Sequence, residues 1–187
     1  MTIVNLSLVF LILFSCLAFV DGIYLHLWKY KLYKYRETIF EHLLHTLRAF
    51  LFPFQLVGLF LFDIQGWLFG IVLLVAIADL GIQIIDMWVE KGARVRFGGL
   101  SSAEYILHVT LTSLHTSMLL LYLISKPNAS NFLGKTQIVF AEQWNSIVAS
   151  NLLPGAILVA LLHLILCHPY FRDHQDHYAD SPSMNMN

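Results

Sequence analysis

Long apolar runs and short polar breaks alternate along this chain. Five runs, about residues 3–28, 38–62, 67–89, 102–124 and 152–167, carry almost no interruption. Each approaches or exceeds the roughly 20 helical residues that cross a hydrocarbon core. The runs are continuous rather than alternating, which excludes a membrane β-barrel. The pattern predicts an all-α integral membrane protein, a single bundle of about five transmembrane helices over 1–168. A polar, disordered tail is expected over 169–187. A tight turn is expected at residues 63–66 and a short surface helix over 137–147. No internal repeat is present.

The polar positions inside the runs are ordered too. A helix advances about 100° per residue, so positions i, i+4, i+7 and i+11 share a face. Glu37, Glu41, His45 and Arg48 satisfy that spacing in the second run, with His42 at its edge. Asp79, Gln83, Asp86 and Glu90 form a stripe in the third, and Glu104, His108, Thr112 and His115 form one in the fourth. Counted from the basic ends of the runs, Glu41, His45, Asp86 and His108 lie roughly 5–12 Å deep, at ~1.5 Å per residue. Asp21 and His163 reach a similar depth. Asp79 and His115 lie deeper, at roughly 17–20 Å, and match each other.

Composition sharpens this picture. Of 187 residues 58% are hydrophobic and only 12% charged, more apolar than a soluble domain of this length requires. A net charge of -1 gives no footprint for nucleic acid. Lys29, Lys31, Lys34 and Arg36 follow the first run, and Lys91, Arg94 and Arg96 follow the third. Two crossings separate these clusters, so both lie on one side. The positive-inside bias then predicts an outside N-terminus and a cytoplasmic C-terminus, in a plasma or inner membrane. The first run lacks a basic n-region and a clean cleavage site, so it is expected to stay as a membrane helix rather than a signal peptide. Cys16 and Cys167 read as small buried hydrophobes.

A charge in mid-bilayer costs about 2.5–3.5 kcal/mol on insertion scales, so such groups face the bundle interior and are partnered. Histidines and carboxylates converging from several helices suit Fe, Mn or Zn. The expected ligands are Glu41, His45, Asp86 and His108, with Glu104 and His163 next. Asp79, His115, Asp21 and His42 are expected in a second shell or second site. The expected function is a metal-dependent membrane oxidoreductase or hydrolase acting on a lipid or other hydrophobic small molecule. Membrane lipids and a second copy of the chain are its expected partners.

Alternatives stand beside this one. The same residues suit a proton or cation relay, a haem held by His45 or His42 with His108 or His163, or a non-catalytic assembly factor. Thr38-x-x-Glu41 and Ser101-x-x-Glu104 have capping-box spacing. Glu90 reads as a solvated partner of Lys91 or Arg94, Arg48 as a counter-charge for Glu41 or a lipid anchor, and His26 as an interfacial residue. His42 is compatible with lipid headgroups. His168, His174 and His177 form a loose tail cluster, and Asn128-Ala129-Ser130 is a glycosylation sequon. Gly134-Lys135-Thr136 lacks the first P-loop glycine, Ala129 standing in its place. Histidine boxes of the HxxxH and HxxHH kind, which membrane desaturases and hydroxylases carry, are absent.

Overall fold

The computed structural model describes residues 2–126 and 134–173. Five helices are long and apolar enough to cross a membrane. Helix α1 (Ile3–Phe19) continues in wider, π-type winding through Val20–Lys29. After a short 3-10 turn at Arg36–Thr38, α2 (Ile39–Gln55) likewise continues in π-type winding over Leu56–Leu61. Then come α3 (Trp67–Ala93), α4 (Ser102–Ile124) and α5 (Gln143–Leu166). Helix α1 packs most closely on α4, while α2 packs on both α3 and α5.

The first four spans lie within a few residues of the apolar runs, because hydropathy alone decides them. The fifth begins at Gln143 instead of 152. Asn145, Ser146 and Asn151 mask its first turns in the sequence. In the helix Ser146 Oγ donates to the Glu142 carbonyl and Asn151 Nδ2 donates to that of Ile147, so the helix satisfies its own polar side chains. Among the described residues no separate surface helix precedes it. Gln137–Phe140 is instead strand β2, antiparallel to β1 (Phe62–Gln65), with Phe62 opposite Phe140 and Gln65 opposite Gln137. The expected tight turn at 63–66 is therefore a strand whose pairing is long-range and invisible to local pattern.

Gly66 ends β1 at φ 76° and ψ -160°, a region essentially confined to glycine. A Cβ there would lie 2.6 Å from the Gly134 carbonyl oxygen, a backbone atom that cannot step aside. Gly66→Ala is expected to destabilise the protein by about 1–3 kcal/mol from backbone conformation alone. A melting temperature equal to the parent's, measured in detergent, would contradict this.

Away from the basic loops the bundle closes on an apolar core that includes Leu11, Leu56, Leu59, Phe60, Phe69 and Met118. Exposed Trp67 and Trp144 lie toward that end, and exposed Trp28 and Trp88 toward the basic one. Trp67 and Trp88 are 21 steps apart on α3, about 31 Å, which matches a ~30 Å hydrocarbon core bounded by aromatic belts. Beyond α5, the Asp173 amide donates to the Lys34 carbonyl and so ties the first tail residues to the loop after α1. The sequon at Asn128 and the histidines His174 and His177 lie outside the described residues.

Candidate functional site

Near the basic end, four helices bring buried acids and imidazoles into contact, and π winding in the first span sets the geometry. In an α-helix a separation of five residues rotates by about 500°, which would leave Asp21 and His26 about 140° apart. Hydrogen bonding from i to i+5 puts more residues in each turn and brings the two toward one face. His26 Nε2 lies 3.5 Å from Asp21 Oδ1 and 3.7 Å from Glu41 Oε1, and the imidazole is wholly buried. Its ring meets the His45 ring edge-on, with centroids 3.7 Å apart. The sequence pattern missed His26, which is the residue that joins the cluster together.

Two sets of ligand-type atoms share it. Asp21, His26 and His108 each offer one atom, all within 4.8 Å of one another, and so do His26, Glu41 and His45. Adjacent ligand atoms at about 2.1 Å from a common ion stand roughly 3.0–3.5 Å apart, and opposite ones about 4.2 Å. The separations of 3.0 Å for His108–Asp21, 3.5 Å for His26–Asp21 and 3.7 Å for His26–Glu41 lie near the adjacent-ligand range. The unpaired atoms point the same way. Both His26 nitrogens, Glu41 Oε1, His45 Nε2 and Asp86 Oδ1 are buried without a hydrogen-bond partner. His45 Nε2 is only 2.9 Å from Asp86 Oδ2, but the alignment is poor and the contact is electrostatic rather than a hydrogen bond. Each unsatisfied buried polar atom costs about 1–3 kcal/mol, so several together call for a ligand.

The surrounding residues hold these groups in place. His108 Nδ1 sits 2.7 Å from Glu90 Oε2, while its Nε2 lies 3.0 Å from Asp21 Oδ1. A carboxylate on one imidazole nitrogen with the other facing the site is the usual support for a metal-binding histidine. Glu90 is therefore buried and engaged, not solvated as its sequence position suggests. Arg94, assigned by sequence to a basic loop, is completely buried. Its Nη1 donates to Glu41 Oε2 and its Nε to Glu104 Oε1, both at 2.8 Å, and Nη2 reaches Glu90 at 3.5 Å. Burial opposes its charge, but Glu41 and Glu104 outweigh that and raise its pKa.

Glu104 engages Arg94 and the start of its own helix. It accepts from the Tyr30 hydroxyl (2.6 Å) and from Ser101 Oγ, and it completes a true capping box at the start of α4. Burial, followed by the bond to Glu104, raises the Tyr30 pKa and keeps the phenol a donor. The matching box at Thr38 does not form. Thr38 Oγ1 donates back to the Leu32 and Tyr35 carbonyls, which leaves Glu41 to Arg94 and the cluster.

Two further groups flank the cluster. His163 stacks on His42 with ring centroids 5.4 Å apart, and both are buried, so His42 does not reach lipid headgroups. Deeper in the bundle Arg48 Nε donates to Asp79 (3.1 Å) and Nη1 approaches Asp86 (3.7 Å), so its carboxylate partners are these two rather than Glu41. Gln55 donates to Asp79, His115 lies 3.0 Å from Gln55 Oε1, and Gln83 donates to Thr112. Asp79 and His115 share a level as their depth implied, with Gln55 between them.

Beside the cluster lies a cavity of about 460 Å³ between α1, α2 and α5, with Asp21, His45, Arg48, Asp79 and His163 among its lining. Cys16 also lines it and is exposed, correcting the expectation that both cysteines are buried; Cys167 is half-buried, 3.2 Å from Thr46 Oγ1. Comparison with protein-family models, curated proteins and solved structures finds no match for this chain.

Proposed function

We propose that this is a multi-pass membrane protein that binds one or two transition-metal ions, Fe, Mn or Zn, among Asp21, His26, Glu41, His45 and His108. We read it as an enzyme acting on a lipid or other hydrophobic molecule. The observation that carries the metal is a charge imbalance. Among the described residues, six buried carboxylates (Asp21, Glu41, Asp79, Asp86, Glu90 and Glu104) face one buried guanidinium, Arg94, and one half-buried one, Arg48. Were all six ionised, an imidazolium at His108 would still leave an excess of three negative charges. Uncompensated charge in such a setting is strongly unfavourable, and divalent cations among unpaired His and carboxylate atoms relieve it.

A bound ion would supply Lewis-acid or redox chemistry at the edge of the cavity. The chain's own groups do the rest. Glu90 orients His108, Arg94 fixes Glu41, and apolar helices exclude bulk water. The basic loops after α1 and α3 favour a cytoplasmic location for this end, hence an outside N-terminus in a plasma or inner membrane.

A proton relay is the second reading, favoured by the Asp79–Gln55–His115 chain. Among the described residues it has no continuation past the apolar core around Phe60, Phe69 and Met118. A haem between two imidazoles fits less well, because His42 and His163 stack face to face at an interplanar angle of 19° and do not aim at a shared iron.

Elemental mass spectrometry of gently purified protein tests the metal. One or two equivalents are expected in the parent, and fewer than about a tenth of that in a folded His26→Ala/His45→Ala variant, since ligand removal strips affinity. Equal metal in both proteins, or none in either, would sink the reading.

A further inference from the structure

We infer that the cavity between α1 and α5 holds one hydrocarbon chain of a single-chain amphiphile, with its oxygen-bearing end at the level of Asp21 and His45. The inference rests on the proposed function for the chemistry at that end, and on the cavity alone for the chain. A volume of about 460 Å³ falls in the range of roughly 300–1,000 Å³ typical of small-ligand sites.

The cavity is mostly apolar, with polar groups at two levels. Phe14, Phe52 and Leu152 give it apolar walls toward the middle of the bundle, where Arg48 and Asp79 pair, and Asp21 and His45 supply polar groups toward the basic end. Leu152 and His163, both lining residues on α5, are 11 steps apart, about 16 Å along the helix. A long chain lying parallel to the helices fits that length. Arg48 retains 12% side-chain exposure beside the cavity, so a donor is available to an oxygen there.

The entrance follows from small residues on helices that touch only sparsely. Helices α1 and α5 make few contacts, although Gly22 comes close to His163 Nε2. A Cβ added at Gly155 would meet nothing within 4 Å, and Cys16 across the gap is exposed. In a bilayer this gap faces lipid rather than water, so what enters it has a hydrocarbon chain. The cavity favours one chain over two, because a second would roughly double the space needed and the volume is about 460 Å³.

Photolabelling with a palmitic acid carrying a mid-chain diazirine, on the full chain in lipid nanodiscs, tests this. Label is expected on the peptides around Phe14–Phe19 and Gly155–Val159. It should fall about tenfold in Gly155→Trp, whose indole fills the space the chain needs. Val159→Trp serves as a second variant should the first fold poorly. Excess unlabelled palmitate or a lysophospholipid is expected to compete, and hexadecane is not. Label spread evenly over the exposed α3 positions Leu74, Ile77 and Ile84, or unchanged by both variants, would overturn the inference. So would competition by hexadecane equal to that by palmitate. Metal content measured on the same samples separates the two readings. Bound metal without specific label removes the chain site alone, and specific label without metal removes the proposed centre alone.

Discussion

Arg94→Ala is expected to lower the unfolding free energy by about 3–5 kcal/mol, the cost of leaving buried partners uncompensated. Glu41, Glu104 and Glu90 all depend on this one guanidinium, which is fully enclosed and lies 4.6 Å over the Tyr30 ring. Arg94→Lys should rescue little, since one ammonium cannot reproduce a fork that reaches three helices. Adding Glu41→Gln to Arg94→Ala should recover part of the loss, because it removes one of the stranded charges. Denaturant or SDS titration of the purified protein checks both points. A loss below about 1 kcal/mol, the scale of a surface ion pair, would mean that water or protonation relieves the charge.

Removing the proposed metal should give the second large effect. A ligand that binds only the folded state stabilises it by about 2.7 kcal/mol at 100 times its dissociation constant and about 4.1 kcal/mol at 1,000 times. Chelation is expected to lower the melting temperature of the parent and to leave the His26→Ala/His45→Ala variant unmoved. Re-addition of the ion should restore the parent and release protons, since imidazole and carboxylate bind metal deprotonated. A parent indifferent to chelator, with its metal demonstrably removed, would show that the cluster is held by ion pairs alone.

Much of the site is legible in one dimension. Helical rise is constant, so the depth of Glu41, His45, Asp86 and His108 follows from counting, and these residues do gather at one end of the bundle with Asp21. Helical periodicity likewise gives the faces of α2, α3 and α4. His26 escapes that arithmetic because it assumes α winding, and the segment Val20–Lys29 is wound more widely. Arg94 and Glu90 escape it for another reason. Their position beside a basic loop suggests water, and nothing local reveals that the loop folds inward over Glu104 and Tyr30. Glu104 could be read as a cap or as a ligand; the fold makes it a cap that also secures Arg94.

The sequence by itself determined that there are five spans, the extent of the first four, the level of the polar groups and their excess of acid, because hydropathy, rise per residue and charge are local or additive. The tertiary structure alone decided which groups meet: His26 with Asp21 and Glu41, Arg94 with three carboxylates, β1 with β2, and a cavity left open between α1 and α5. Those choices depend on helix winding, rotation and packing between segments distant in the chain, where many arrangements satisfy the same pattern and only close packing selects one.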